Sequence, residues 1–187
     1  APIERMYKIC DKCKLKKAMT FIVGMGETIE DFDSLKNFIA KNNVDKIVFY
    51  ALNPIKGTMF ENSDGPKIDY YVEWIKKTRE NFPDIDIVAG PWVNRLGNLS
   101  LMLDAGANAI TKFPAIKLFN TIHAKSIEEE INKAGFELYG SFTKIPEINS
   151  DEIEAMDFDE NLKTQIIAKT KEYLAIMGRN NTFSNLR

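Results

Sequence analysis

The sequence predicts an α/β fold on three observations. Short apolar runs alternate with amphipathic helical patterns four times along the chain, the pattern of βα units and a parallel sheet. The first run, residues 18–23 (AMTFIV), is continuously apolar, as expected of a strand covered on both faces. The length, 187 residues, falls short of the roughly 250 of an eight-unit barrel. The expected fold is therefore a partial TIM-type (β/α) barrel: four parallel βα units plus a C-terminal helical appendage. An open sheet of four strands plus one more is the alternative.

Each element has its own signal. A first helix is expected over residues 4–15, with Met6, Ile9, Cys10 and Cys13 on one stripe. The strand 18–23 runs into a glycine-bearing turn, Gly24-Met25-Gly26-Glu27. Thr28 reads as an N-cap because Glu30, Asp31 and Asp33 load the first turn with acid; that helix ends near Asn42-Asn43. Unit two is the strand 46–52, a long loop 53–67 and a helix 69–82. Unit three is the strand 85–89, then Gly90-Pro91-Trp92, then a helix ending at Ala105-Gly106. Unit four is the strand 109–112, Phe113-Pro114 and a helix 117–135. A further short strand is expected over 136–142, and an acidic segment 149–160 leads to a helix 161–177. Gly178 is placed to stop it, leaving a polar tail from 179 to 187. Residues 1–146 are read as half of a (β/α) barrel and 147–187 as a C-terminal helical extension packed on it.

Composition narrows the function classes. At 44% hydrophobic and 28% charged residues, the chain is globular rather than disordered. With 25 basic and 27 acidic residues, the net charge of −2 argues against a nucleic-acid surface or a polybasic membrane anchor. No apolar run reaches the roughly 18 residues of a membrane span. Two cysteines are too few for a disulfide scaffold and point to a reducing, cytoplasmic setting. The chain opens on Ala-Pro-Ile-Glu, with no initiator Met and no apolar leader, and reads as starting partway through a longer protein.

In a parallel α/β arrangement, chemistry gathers at the C-terminal ends of the strands. The first such end is the glycine loop, whose backbone N–H groups can approach a ligand before a helix N-terminus; turn chemistry is the plainer reading. The third offers Trp92, Asn94 and Arg95, a flat ring and a cation able to meet a carboxylate. The fourth offers Thr111 and Lys112; a lysine at a strand end can be a desolvated amine and a Schiff-base nucleophile, or a snorkelling surface residue. Cys10-Asp11-Lys12-Cys13 fits C-x-x-C, but with no second pair and a single histidine, His123, a shared helical stripe is the simpler account. His123 itself falls inside a helix and reads as structural.

Ile22-Val23-Gly24-Met25-Gly26-Glu27-Thr28, then a helix, then Tyr50-Ala51-Leu52-Asn53-Pro54-Ile55-Lys56-Gly57-Thr58 resembles the second half of a radical S-adenosylmethionine enzyme. The nearest branch is that of biotin synthase and the archaeal lipoyl-synthase-type proteins. Ala105-Gly106-Ala107-Asn108-Ala109-Ile110 is also similar to biotin synthase. The resemblance covers residues 3–135. It implies a (β/α) barrel in which a [4Fe–4S] cluster on a CxxxCxxC loop binds and cleaves S-adenosylmethionine. The resulting 5′-deoxyadenosyl radical takes hydrogen from an unactivated carbon, with sulfur insertion or rearrangement open as the next step. It implies a cofactor-binding set of Ile22, Gly24, Glu27, Leu52 and Asn53, with Ile22 and the Gly24 backbone against the adenine. Trp92, Asn94, Arg95, Thr111 and Lys112 would face a small-molecule or carrier-bound substrate.

The chain departs from the family pattern in three places. It has no CxxxCxxC, Thr20 stands where the family motif has glycine, and Pro91 stands where biotin synthase has arginine. The cluster is accordingly expected on a missing N-terminal half, in the same or another chain. No metal site is expected here, and no nucleic-acid or membrane partner. A Schiff-base aldolase-like barrel using Lys112 and a non-catalytic half-barrel interaction module are the alternatives.

Overall fold

The computed structural model describes residues 2–90, 93–111 and 113–184, and the chain divides into two compact units, Ala1–Lys112 and Phe113–Arg187. In the first unit the four apolar runs form one sheet: β1 (Ala18–Val23), β2 (Lys46–Ala51), β3 (Asp86–Gly90) and β4 (Ala109–Ile110). The spatial order is β1-β2-β3-β4 and every pairing is parallel. Strands that neighbour in both sequence and space wind one way round, as half of a (β/α) barrel does; a doubly wound sheet reverses its order. The four-unit parallel α/β fold is the one the sequence predicts.

The helices of this unit are α1 (Pro2–Lys12), α2 (Phe32–Asn42), α3 (Ile68–Asn81) and α4 (Leu99–Asp104). Strand side chains alternate between faces, and one alternate set meets the helices. Phe21 of β1 lies 4.8 Å from Trp74 of α3 and 5.9 Å from Phe49 of β2, ring centre to ring centre. Phe32 of α2 reaches the same indole at 5.9 Å. Tyr71 of α3 donates its hydroxyl to the Phe49 carbonyl at 2.7 Å. Tyr7 of α1 packs on Phe38 of α2 at 6.2 Å and donates to the Ala18 carbonyl at 2.8 Å. Trp74, Ile75, Ile47, Phe49, Ile87 and Leu99 are fully buried in this layer.

Two expectations are corrected here. β1 is not covered on both faces: Ala18, Thr20 and Ile22 are exposed, while Val48 and Tyr50 beside them are half-buried. Their face carries no helix of this unit, and β1 pairs with a strand along one edge only. An unbroken apolar run fits a half-covered strand as well as a fully covered one. The stripe predicted on α1 also faces the wrong way. Met6 and Ile9 are exposed and Cys13 lies beyond the helix end, also exposed, whereas Tyr7 points inward. The Tyr7 hydroxyl reaches a backbone carbonyl, which lets a ring with a polar tip take the buried position.

The Ala-Gly-Ala-Asn stretch before β4 is built for the fold. Gly106 has φ +110°, and a Cβ there would lie 2.6 Å from Cγ of Arg79. Arg79 donates to the Gly106 carbonyl through Nε at 3.1 Å and Nη2 at 2.9 Å. Asn108 accepts from the Ile87 N–H at 2.7 Å through its side chain and donates its own backbone N–H to the Ile87 carbonyl at 2.9 Å. β4 is therefore sewn to β3, and Thr111 extends the pairing by donating to Ala89 at 2.9 Å. Ahead of α4, the chain takes a 3-10 helix, Val93–Asn98, where a continuous α-helix was expected.

The second unit contains α5 (Ile122–Lys133), α6 (Ser150–Glu154) and α7 (Glu160–Ser184). No strand forms over residues 136–142. Gly135 and Gly140, at φ +76° and +104°, bend the chain, and Glu128 of α5 gathers the residues after Gly140. Its carboxylate accepts from Ser141 Oγ at 2.8 Å, the Phe142 N–H at 2.7 Å and Thr143 Oγ1 at 2.8 Å. Phe142 rests on Phe113 at 5.0 Å. Gly178 does not stop the last helix, which runs on to Ser184. A glycine ends a helix by turning left-handed; Gly178 is not among the positive-φ glycines, so it costs only the ~1 kcal/mol of an interior glycine. The acidic segment is solvated apart from the buried Ile153.

Glu128 gives an acid-sensitive joint. Burial pushes its carboxyl up, but the hydrogen bonds from Thr143, Ser141 and the 142–143 backbone outweigh burial and hold it below the usual glutamate range. A depressed folded-state value means the stabilisation is complete above the unfolded-state pKa and is lost as pH falls through the folded one. Amide exchange over residues 141–144 is expected to quicken as pH drops below about 4, relative to exchange in α5. In Glu128→Gln the loop is expected to exchange faster at neutral pH, with little further dependence on acid. An identical acid response in both proteins would remove Glu128 as the cause.

Candidate functional site

The C-terminal ends of β1 and β2 are built against one another. After Val23, Gly24 and Gly26 take φ +103° and +112°, conformations that favour glycine. They turn the chain into a 3-10 turn at Ile29–Asp31 and then α2. Thr28 is extended, as an N-cap should be, and its N–H donates to Asp31 Oδ2 at 2.8 Å. Glu27 folds back on the loop: its carboxylate accepts from the Gly24 N–H at 2.5 Å and the Met25 N–H at 2.8 Å. The N–H groups expected to approach a ligand are therefore engaged by the chain's own carboxylate. A phosphate cradle is not what this loop forms.

The second strand end closes onto the first. The Leu52 N–H donates to the Val23 carbonyl at 2.8 Å. A Cβ on Gly24 would lie 2.8 Å from Pro66 Cδ and 3.2 Å from Leu52 Cβ. Tyr70, in the first turn of α3, donates its hydroxyl to the Glu27 carbonyl at 2.8 Å. The intervening loop is organised by its own turns. Thr58 Oγ1 donates to the Ile55 carbonyl at 2.7 Å, and the Gly57 N–H donates to Glu61 at 2.7 Å. Met59 at its tip is 90% exposed.

The structure thus brings together Gly24, Glu27 and Leu52, with Ile22 exposed one residue below Val23 on the face opposite α2 and α3, and Asn53 exposed just beyond Leu52. Pro66 and Tyr70 belong to the same junction and were missed by sequence reasoning. Tyr70 had a usable signal, since a residue just inside the helix after a strand-end loop stands at the same end of the sheet. Pro66 had none. Thr111 follows β4 at this end and is half-buried. Asn94 and Arg95 lie in the 3-10 helix after β3. Trp92 and Lys112 lie outside the described residues.

The remaining chemistry-bearing residues stand elsewhere. Cys10 and Cys13 sit at the C-terminal end of α1, a few residues ahead of β1 and hence at the opposite end of the sheet from Gly24. His123 is half-buried in α5. Among the described residues no group of three or more His, Cys, Asp and Glu side chains could hold a metal ion. No helix described is long and apolar enough to cross a membrane. A cavity of about 470 Å³ lined by Lys16, Asn43, Asp45 and Asp84 lies at the N-terminal ends of the strands, the end that serves stability rather than chemistry in barrels.

No family model matches the chain. An uncharacterised protein of Methanocaldococcus jannaschii is 43% identical over 131 residues, which are 70% of this chain and 37% of that protein. Biotin synthase of Clostridium botulinum is 45% identical over 49 residues, 26% of this chain and 15% of that one. The chain thus spans well under half the length of either relative. Among solved structures, the tryptophan synthase alpha chain from Legionella pneumophila subsp. pneumophila superposes with a TM-score of 0.49 at 12% identity, over 72% of this chain and 54% of that one. The alpha subunit from Legionella pneumophila str. Paris gives a TM-score of 0.48 at 12% identity, over 72% and 55%.

Proposed function

We propose that this chain is the S-adenosylmethionine- and substrate-binding half of a radical S-adenosylmethionine enzyme that takes hydrogen from an unactivated carbon in a cytoplasmic setting. One observation carries the reading. The two stretches that bear the family resemblance, residues 22–28 and 50–58, meet at the C-terminal end of the sheet through Leu52, Val23 and Gly24. The local identity with biotin synthase supports it.

The residues fit the two cofactors differently. For S-adenosylmethionine the junction offers an exposed apolar side chain at Ile22, the Leu52 side chain and the exposed amide of Asn53. These suit a base and its ribose. When bound and cleaved, that cofactor supplies the radical chemistry; the protein supplies position and surroundings. Glu27 and Tyr70 act one step back, by fixing the loop. For a [4Fe–4S] cluster the donor set does not fit. The two thiols are one short of the family's three, and they stand at the far end of a six-residue strand, about 20 Å long.

The cluster therefore belongs to an upstream half carrying CxxxCxxC. The edge of β1 that pairs with no strand among the described residues, and the exposed face of the first unit opposite α2 and α3, suit pairing with such a half. On this reading Trp92, Asn94, Arg95, Thr111 and Lys112 meet a small-molecule or carrier-bound substrate.

The test is reconstitution. The isolated 187 residues, treated anaerobically with iron and sulfide and then given dithionite as the one-electron reductant, are expected to show no 400-nm-region cluster absorbance and no cleavage of S-adenosylmethionine. Joined to a half that carries the three cysteines, they are expected to show both. Stoichiometric cluster on this chain alone, or no cleavage by a joined protein with its cluster in place, overturns the reading.

A further inference from the structure

Gly90 is a glycine for want of space, and the space belongs to Tyr50. In the sheet register Ile22 lies beside Tyr50, and Tyr50 beside Gly90. The three form one row on the face opposite α2 and α3, one residue below the junction. Gly90 does not have the positive φ that would itself call for glycine. A Cβ at Gly90 would instead overlap Cδ1 and Cε1 of the Tyr50 ring. Glycine within a strand commonly marks such a close approach. The ring therefore leans from β2 across β3, away from β1. The exposures agree: Gly90 and Val88 are buried, Tyr50 is half-buried and Ile22 is 40% exposed. On its other side Gly90 is held by α3, its N–H donating to the Tyr71 hydroxyl at 3.3 Å.

We propose that Gly90 is a positioning residue: by giving the Tyr50 ring a place over β3, it keeps the apolar surface of Ile22 open for the base of S-adenosylmethionine. This rests on the function proposed above, and it assigns a role to two residues that need not touch the cofactor. Any side chain at position 90 evicts the ring. The neighbouring place in the same row is above Ile22, where a displaced ring covers the surface the base would use. Size at position 90 thus controls binding two strands away.

The experiment is a methyl-labelled NMR study of the 187-residue chain, wild type, Gly90→Ala, Tyr50→Ala and the double variant, each titrated with S-adenosylmethionine. In the ligand-free wild type, the Tyr50 ring is expected to show contacts to Gly90 Hα and none to the Ile22 methyls. In Gly90→Ala the Ile22 methyls are expected to shift upfield under the ring, and affinity to fall about tenfold. Tyr50→Ala alone is expected to bind about as tightly as wild type. The double variant is expected to recover to within about threefold, the Phe49 carbonyl, 2.9 Å from the added Cβ, yielding by a small shift of the strand. If Gly90→Ala does not fold, the double variant is expected to fold and bind; failure of both overturns the proposal. So does binding by Gly90→Ala at wild-type strength, or a double variant as weak as the single, and either leaves the proposed function standing. A folded wild-type chain with no response to S-adenosylmethionine overturns the proposed function, and the role of Gly90 with it.

Discussion

Truncation of Trp74, the largest fully buried side chain among the described residues, to alanine is expected to cost about 3–5 kcal/mol. The indole is fully buried and is touched by rings from β1, from α2 and from its own helix: Phe21, Phe32 and Tyr70, with centroid distances of 4.8, 5.9 and 6.3 Å. Removing it leaves a cavity among rings carried by β1, α2 and α3, which relax only partly into the space. Against a typical total stability of about 5–15 kcal/mol, that loss takes the first unit close to unfolding at 25 °C. Trp74→Phe separates packing from polarity. Among the described residues the buried indole Nε1 has no hydrogen-bond partner within normal geometry, with Tyr70 as its polar neighbour, so phenylalanine removes a poorly satisfied donor along with some volume. Its cost is expected to be clearly below half that of alanine. Urea midpoints at constant m-value read both; equal losses for the two variants would show that ring packing does not hold this layer.

Substituting Gly24 is expected to damage the site more than the fold. Alanine at φ +103° carries backbone strain of about 1–3 kcal/mol. Its Cβ would also press on Pro66 and Leu52, at 2.8 and 3.2 Å, pushing the second strand end away from the first. Gly26 supplies the control. Its φ is +112°, yet a Cβ there meets nothing within 4 Å, so Gly26→Ala carries strain without the collision. Gly24→Ala is therefore expected to weaken S-adenosylmethionine binding by at least about tenfold beyond Gly26→Ala. Both are expected to lower the melting temperature by only several degrees. Titration of the two variants side by side reads the difference; equal affinities would mean that the Gly24–Leu52–Pro66 junction does not shape the site.

Several elements could be read from residues alone, because their physics is local. The runs 18–23, 46–52 and 85–89 announced strands through short apolar stretches between turns, and the observed strands fall within one residue of them. The acid after Thr28 announced a helix start. What failed was whatever depended on a partner elsewhere in the chain. The run Ala18–Val23 gives no sign of which face will be covered, since Thr20 and Ile22 belong equally well to either. The stripe Met6–Ile9–Cys13 lost to Tyr7 because a hydroxyl found the Ala18 carbonyl at 2.8 Å, a contact no helical periodicity encodes. Residues 136–142 had a strand's composition, but Glu128 took the backbone and hydroxyl donors that come after Gly140. The site divided the same way. Gly24 and Leu52 were legible through their motifs, whereas Pro66 and Tyr70 reach the junction only through the folding of the 53–67 loop. The Gly90–Tyr50 pair was invisible, because spacing along the chain says nothing of a ring leaning across a sheet.

The internal carboxylate of the first loop has an electrostatic consequence. In many nucleotide sites, paired backbone N–H groups beside a glycine turn attract a phosphate. Here Glu27 already sits on those of Gly24 and Met25, so this loop presents a carboxylate where such a site would present free N–H groups. Like charges brought together repel. On the function proposed above, an adenine compound bearing a chain of phosphates is expected to suit this loop less well than one whose charge near the ribose is positive. A loop of this kind would sort its ligands by the sign of their charge before their shape.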